Sequence, residues 1–327
     1  MLRRMKRRAF LAGTAAVMVA SRATEGQQGP TRRIGAVLFG GPYLRAIDGL
    51  RHGLREVGLE EGMHFVMDVR NVQGGDLKAA EATGRNLERE NVDLIYSVTT
   101  SVTLAVRRAT TKTPIVFYAG TDPVAVGLIE SFGRPGGRLT GVHSRSTHLV
   151  AKRLELLKEM MPSLRRVMTF YNPANPISQP ALNIARDAAR KLSVELIERP
   201  VRSVEELHTV LDALRAADAD ALSYIDGMVV SQEERMIETA KARRLPLIVS
   251  EQSSVERGAL AAYGVNYYEA GRLAAKLVQR ILLGARPSEL AVEQVDRLHF
   301  VINLKTARAL GLTIPPSLLL RADQVIE

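Results

Sequence analysis

Short apolar runs that end in small or polar residues, each followed by an amphipathic segment, recur from Arg33 to Leu283 and constrain the fold more than composition does. The clearest instance is Thr113 to Ile129, TPIVFYAGTDPVAVGLI. Ile115 to Tyr118 has the length and branching of a buried strand, Gly120 lets the backbone turn, and Asp122-Pro123 is suited to cap a helix and open its first turn. A strand that meets a helix start directs unpaired N–H groups and partial positive charge at one spot. In open α/β sheets, ligands bind at that spot.

The same unit can be followed along the chain. Strands are predicted over Arg33 to Phe39, His64 to Arg70 and Leu94 to Val98, with helices over Leu44 to Val57, Asp76 to Glu90 and Val102 to Thr110. The glycine-rich stretch Gly133 to Gly141 breaks the rhythm and reads as a junction between domains. Helix His148 to Met161 then stops at Pro162, and strands Arg166 to Tyr171, Val194 to Pro200, Ala221 to Ile225, Leu247 to Ser250 and Ala259 to Gly264 alternate with helices Pro180 to Leu192 and Val204 to Ala216. Ser203 with Glu206, and Ser231 with Glu234, have capping-box spacing. A long helix from Tyr267 closes at Gly284, and a shorter one ends at Gly311 before a Pro315-Pro316 stop. Strict alternation of strand and helix implies parallel sheets with right-handed crossovers.

The amino end departs from this pattern. Met1 to Arg8 is basic without acids, Ala9 to Ala20 is apolar, and Ser21-Arg22-Ala23 offers small residues for cleavage, so residues 1–23 read as a signal peptide. Arg7-Arg8 resembles a twin-arginine export motif, though Lys6 stands where Ser or Thr is usual; twin-arginine and general secretion both stay open. No later run approaches the ~20 apolar residues of a membrane span. Six of the 45 basic residues fall in the signal, which reduces the net charge of +10 to an excess of four over the 35 acids. The mature chain therefore has no basic block with interleaved aromatics of the kind that binds nucleic acid. With no cysteine there is no disulfide, thiolate metal site, cysteine nucleophile or lipidated amino-terminal anchor. An exported, unanchored chain needs a second barrier to retain it, which points to a periplasm.

Enzyme signatures are lacking: there is no G-x-G-x-x-G, phosphate-binding Lys-Ser/Thr loop, G-x-S-x-G or H-E-x-x-H. The six histidines, His52, His64, His143, His148, His208 and His299, have no metal-ligand spacing, so neither metal nor cofactor is expected. Polar residues instead gather at the carboxyl ends of predicted strands. Thr99, Thr100, Ser101, Thr121 and Asp122 do so in the first half, and Asn172, Asn175, Ser178, Asp226 and Glu251 in the second. Ser101, Asp122 and Ser178 are placed equally well for plain helix caps. Tyrosines at 96, 118, 171, 224 and 263 also lie in or at the end of strands, as does Phe39 before Gly40; Tyr118 and Tyr171, last in their strands, are the best placed to line a pocket.

The Asn172 to Asn175 run NPAN, the GTDPVAVGLI unit and above all the tail VINLKTARALGLTIPPSLLLRADQVIE resemble the periplasmic substrate-binding proteins of ABC transporters, in the subfamily related to tryptophan-binding components. The resemblance spans nearly the whole mature chain. It implies a type I periplasmic-binding fold: two doubly wound parallel-sheet lobes joined by three crossing strands, with a ligand in the cleft. The first lobe would comprise residues 31–143 and 266–292 and the second 144–265 and 293–327. Phe39, Gly40, Thr99, Thr100, Ser101, Tyr118, Thr121, Asp122, Tyr171, Asn172, Asn175, Ser178, Asp226 and Glu251 would then face the ligand. The expected protein is a monomeric, non-catalytic receptor for an amino acid, an aromatic acid or another small carboxylate, which passes it to a membrane permease and its ATPase. A sensor module presenting ligand to a membrane kinase or chemoreceptor has the same sequence features. A sugar-repressor-type regulator would need a helix-turn-helix ahead of residue 33, and an exported enzyme would have to use Asp226 and Glu251 as an acid/base pair.

Overall fold

The computed structural model describes residues 31–72 and 75–327, so the signal-peptide expectation lies outside the described residues. From the amino end come β1 (Arg32–Leu38), α1 (Leu44–Glu56), β2 (Phe65–Asn71), α2 (Leu77–Arg89), β3 (Leu94–Val98), α3 (Thr100–Ala109), β4 (Ile115–Ala119) and β5 (Leu139–His143). Every residue of β3, β4 and β5 is buried, as expected of parallel strands covered on both faces. The second lobe holds α4 (Leu149–Met160), β6 (Arg166–Tyr171), α5 (Ser178–Lys191), β7 (Glu195–Pro200), α6 (Val204–Ala213), β8 (Ala221–Tyr224), α7 (Gly227–Ser231), α8 (Glu233–Arg243), β9 (Ile248–Val249), α9 (Ser253–Glu256) and β10 (Ala261–Val265).

The chain then returns. α10 (Tyr267–Leu282) packs on α1, and the contact is close enough to demand glycine: a Cβ on Gly49 would lie 1.9 Å from the Tyr268 carbonyl oxygen, and one on Gly271 1.9 Å from that of Ala46. β11 (Glu293–Gln294) pairs with β5, whereas β12 (Leu298–Asn303) pairs with β10, so the chain crosses back between them. It ends with α11 (Leu304–Ala309), α12 (Pro316–Leu319) and β13 (Gln324–Ile326). The first sheet runs β11-β5-β4-β3-β1-β2 and is parallel throughout. In the second lobe, β7-β6-β8 and β9-β10-β12-β13 are bridged through Leu222 and Leu247. The fold is thus the doubly wound α/β architecture read from the sequence. Strand order reverses between β1 and β3 in the first lobe and between β6 and β8 in the second, and such reversals open crevices for ligands.

Four local expectations are corrected. Asp122 does cap, accepting from Val124 N at 2.9 Å and Ala125 N at 3.1 Å, but the helix expected after it is a single turn ended by Gly127 at φ 69°. The glycine-rich stretch from Gly133 runs into β5 and includes a strand residue, Gly141, whose Cβ would sit 2.2 Å from the Phe117 carbonyl oxygen. Ser231 closes α7 by donating to Met228 O and caps nothing. Alternation is not strict either, since no helix separates β4 from β5 and β12 runs antiparallel to β10. Among the described residues no helix is long and apolar enough to cross a membrane.

Candidate functional site

Residues at the two switch points line a cavity of about 90 Å³, with walls from both lobes. On the first-lobe side it meets the start of α3. Thr99, a β-branched residue at φ 87°, occupies a conformation that costs of order 1 to 3 kcal/mol and persists only where the surroundings impose it. Its N–H donates to Tyr118 O at 2.9 Å and its Oγ1 accepts from Val102 N at 3.3 Å. Thr103 N is taken by Thr99 O, which leaves the N–H groups of Thr100 and Ser101 as the free donors of this helix start. Thr100 and Thr121 are held together through their hydroxyls at 2.9 Å.

From the second lobe, Asn175 and Asp226 face this helix start. Asn175 sits in a turn, with its N–H on Asn172 O and its Oδ1 accepting from Ile177 N at 3.1 Å. Its Nδ2 donates to Asp226 Oδ2 at 2.7 Å and to Ser101 Oγ at 3.1 Å, so one amide joins the lobes. Asp226, 2% exposed, also accepts from Ser178 Oγ at 2.7 Å and Met228 N at 2.8 Å. Burial pushes its pKa up, and the hydrogen bonds from Ser178 and Asn175 oppose that shift.

Four tyrosines also line the cavity. Tyr43 and Tyr267 have ring centroids 5.0 Å apart, and Tyr118 meets Tyr267 edge-on at 5.7 Å. Tyr224 and Tyr267 both reach Ser250 Oγ, at 3.3 and 3.2 Å, while the Tyr118 hydroxyl pairs with Ser144 Oγ at 2.9 Å. Burial raises all four phenols, Tyr118 to about 12, so they remain neutral. Behind Tyr224 the fully buried Glu233 accepts from its hydroxyl and from Ser254; burial lifts this carboxyl to about 7. Arg153 of α4 is the cavity's cation, 5% exposed, with Nε donating to Tyr263 O at 2.7 Å.

Of the residues singled out from sequence, Thr99, Thr100, Ser101, Tyr118, Thr121, Asn175 and Asp226 line the cavity. The other seven stand back from it. Ser178 is behind Asp226, Phe39 packs against Gly227, and Gly40 turns the chain beside Asn71. Asp122 and Asn172 are spent on local turns, Tyr171 ends β6 half-buried, and Glu251 accepts from Ser253. Sequence reasoning did not assign Tyr43, Ser146, Arg153, Tyr224, Ser250 or Tyr267 to the site. Tyr224 and Ser250 were visible at strand ends; Arg153 lies in a helix with four other charged residues, all partly exposed, and carried no signal.

The family model described as "ABC transporter substrate binding protein" matches residues 36–326. The tyrosine-binding protein of Clostridioides difficile is 29% identical over 270 residues, 82% of this chain and 77% of its own length. An ABC domain from Streptococcus pneumoniae, solved in complex with L-Trp, is 25% identical over 90% of this chain and 100% of its own, with a TM-score of 0.78. A substrate-binding protein with adhesive properties from Clostridium difficile, solved in a ligand-free, open state, is also 25% identical, over 91% of this chain and 99% of its own, but fits with a TM-score of only 0.58. At equal identity, the better fit to the liganded structure agrees with lobes held in contact through Asn175 and Ser101.

Proposed function

Because the chain belongs to the ABC transporter substrate-binding protein family, we propose that it is an extracytoplasmic receptor for an α-amino acid with an aromatic side chain. The observation that carries this reading is the shared amide: Ser101 at the α3 start and the Asp226 carboxylate both bond to Asn175 Nδ2. The two groups are therefore neighbours. The carboxylate of an amino acid suits the free N–H groups of Thr100 and Ser101, where the helix dipole favours negative charge. Its ammonium, on the same carbon, suits Asp226, which only accepts when ionised. The tyrosine wall suits a ring, since aromatic pairs gain from tilted and edge-on contacts beyond the area they bury. The names of the Clostridioides and Streptococcus relatives support the same ligand class.

Binding between the lobes favours the closed form over the open one, and the closed form is what a permease and its ATPase would read. Residues 1–23 would direct export to the periplasm, and no catalytic step is required. Thermal-shift measurements test the reading. L-Tyrosine, L-tryptophan or L-phenylalanine should raise the melting temperature, whereas tyramine and 4-hydroxyphenylpropionate, each lacking one of the two charges, should raise it much less. Stabilisation by sugars, with none by amino acids, would overturn it.

A further inference from the structure

Arg153 is left unexplained by the pairing of Asp226 with the α3 start. Its only hydrogen bond among the described residues runs from Nε to Tyr263 O, and Nη2 is buried without an acceptor. Among the described residues no carboxylate pairs with it. A buried cation without a partner is costly, and removing it from water is repaid only by a well-placed acceptor. Arg153 lines the cavity, so a ligand there is placed to supply that acceptor.

The location of Arg153 decides which part of the ligand it meets. Asp226 follows β8, while the Arg153 guanidinium is tied to Tyr263 in β10 and lies over Gly264. β9 stands between those strands, bridged to β8 through Leu222 and Leu247 and paired with β10. Two inter-strand steps amount to about 9 to 10 Å. With the carboxylate on the α3 start and the ammonium on Asp226, the part of the ligand left to reach across those strands is the side chain leaving the same carbon. The rings of Tyr118, Tyr224 and Tyr267 line the same cavity as Asp226 and Arg153, and the Arg153 charge acts on all three phenols.

We propose that Arg153 reads the far end of the ligand's side chain and selects α-amino acids that carry an acceptor oxygen there. This rests on the α-amino-acid reading above. A phenolic oxygen fits the requirement: it accepts from the guanidinium, and its O–H can donate a hydrogen bond to Ser250 Oγ or to a neighbouring tyrosine oxygen. A plain phenyl ring leaves the cation unpartnered, and an indole N–H offers only a donor.

Calorimetry with L-tyrosine and L-phenylalanine, on the wild type, Arg153→Met and Arg153→Lys, tests this. The wild type should bind L-tyrosine at least about tenfold more tightly than L-phenylalanine, because a site built around a polar contact rejects the analogue lacking it. Arg153→Met should bring the two affinities within about threefold, chiefly by weakening L-tyrosine, and Arg153→Lys should restore part of the preference. If Arg153→Met does not fold, the wild-type ratio and the Lys variant still decide. Equal wild-type affinities, or a preference that survives Arg153→Met, would overturn the role of Arg153 alone. Binding of L-tryptophan but of neither L-tyrosine nor L-phenylalanine would overturn the role of Arg153 alone, whereas failure to bind any of the three would overturn the amino-acid reading, and this inference with it.

Discussion

Asn175 of the second lobe donates from Nδ2 to Ser101 Oγ of the first at 3.1 Å, and the same nitrogen donates to Asp226 Oδ2 at 2.7 Å. This amide acts both as a latch between lobes and as the link that aligns the two ends of the proposed amino-acid subsite. In Asn175→Ala the lobes lose that latch and Asp226 loses a donor. Ligand affinity should fall about tenfold, the usual consequence of one lost hydrogen bond to a charged group. Small-angle scattering of the protein without ligand should shift toward a more extended particle, with motion at the crossings near Ser144 to Ser146, Asn266 and Val295 to Arg297. Identical curves for wild type and variant, with and without saturating ligand, would count against lobe closure.

Asp226 is the proposed ammonium partner and also the cap of α7. Asp226→Ala would confound the two roles, so Asp226→Asn is the cleaner test. It should lower amino-acid affinity by roughly ten- to a hundredfold while the melting temperature changes little. Ser101→Ala should act in the same direction, more weakly. Asp218→Ala, at a turn on the opposite edge of the sheet, should leave affinity unchanged. Unaltered calorimetric affinity in Asp226→Asn would remove the carboxylate from the binding role.

Glu233 sets a pH dependence whose sign can be stated. Its folded value of about 7 lies above the ordinary carboxyl value of 4.5, because it is fully buried. Between those values the folded state holds more protons than the unfolded chain, so the stability this group contributes is complete below about 4.5 and is lost as pH rises through about 7. The loss is up to about 3 kcal/mol. Glu233→Gln should flatten the stability profile over that window in urea unfolding at several pH values; an unchanged slope would show that Glu233 does not titrate there. Glu88 acts in the opposite sense. Backbone donors at Thr111, Lys112 and Thr113 hold it at about 2 despite partial burial, so its contribution is lost as pH falls from about 4.5 toward 2.

The α1–α10 contact joins the carboxyl-terminal return of the chain to the first lobe. With 1.9 Å between the site of a Gly49 Cβ and Tyr268 O, Gly49→Ala must push the helices apart, at a cost of about 3 kcal/mol or more. Gly133→Ala, where nothing lies within 4 Å, should change stability by less than about 0.5 kcal/mol. Chemical denaturation of the two variants makes the comparison, and equal midpoints would contradict the close packing.

What the sequence by itself determined was local and directional. Apolar runs such as Leu94 to Val98 and Ile115 to Tyr118 have the length and branching of buried strands, and their alternation with amphipathic helices implied parallel sheets. Because ligands bind at the carboxyl ends of such strands, Thr99, Thr100, Ser101, Thr121, Asn175 and Asp226 could be picked out as candidates before any contact was known. Only the tertiary structure decided the rest, because burial and pairing depend on residues far apart in the chain. Asp122-Pro123 carries the signals of a helix start, yet Gly127 at φ 69° ends it after one turn. Arg153 stands beside Lys152 in LVAKRLELLKEM and looks like one more solvated charge; packing α4 against β10 alone takes its guanidinium out of water. Which of the candidate residues meet was likewise set by the two lobes coming together, which placed Ser101 and Asp226 on the same amide and left Glu251 turned toward Ser253.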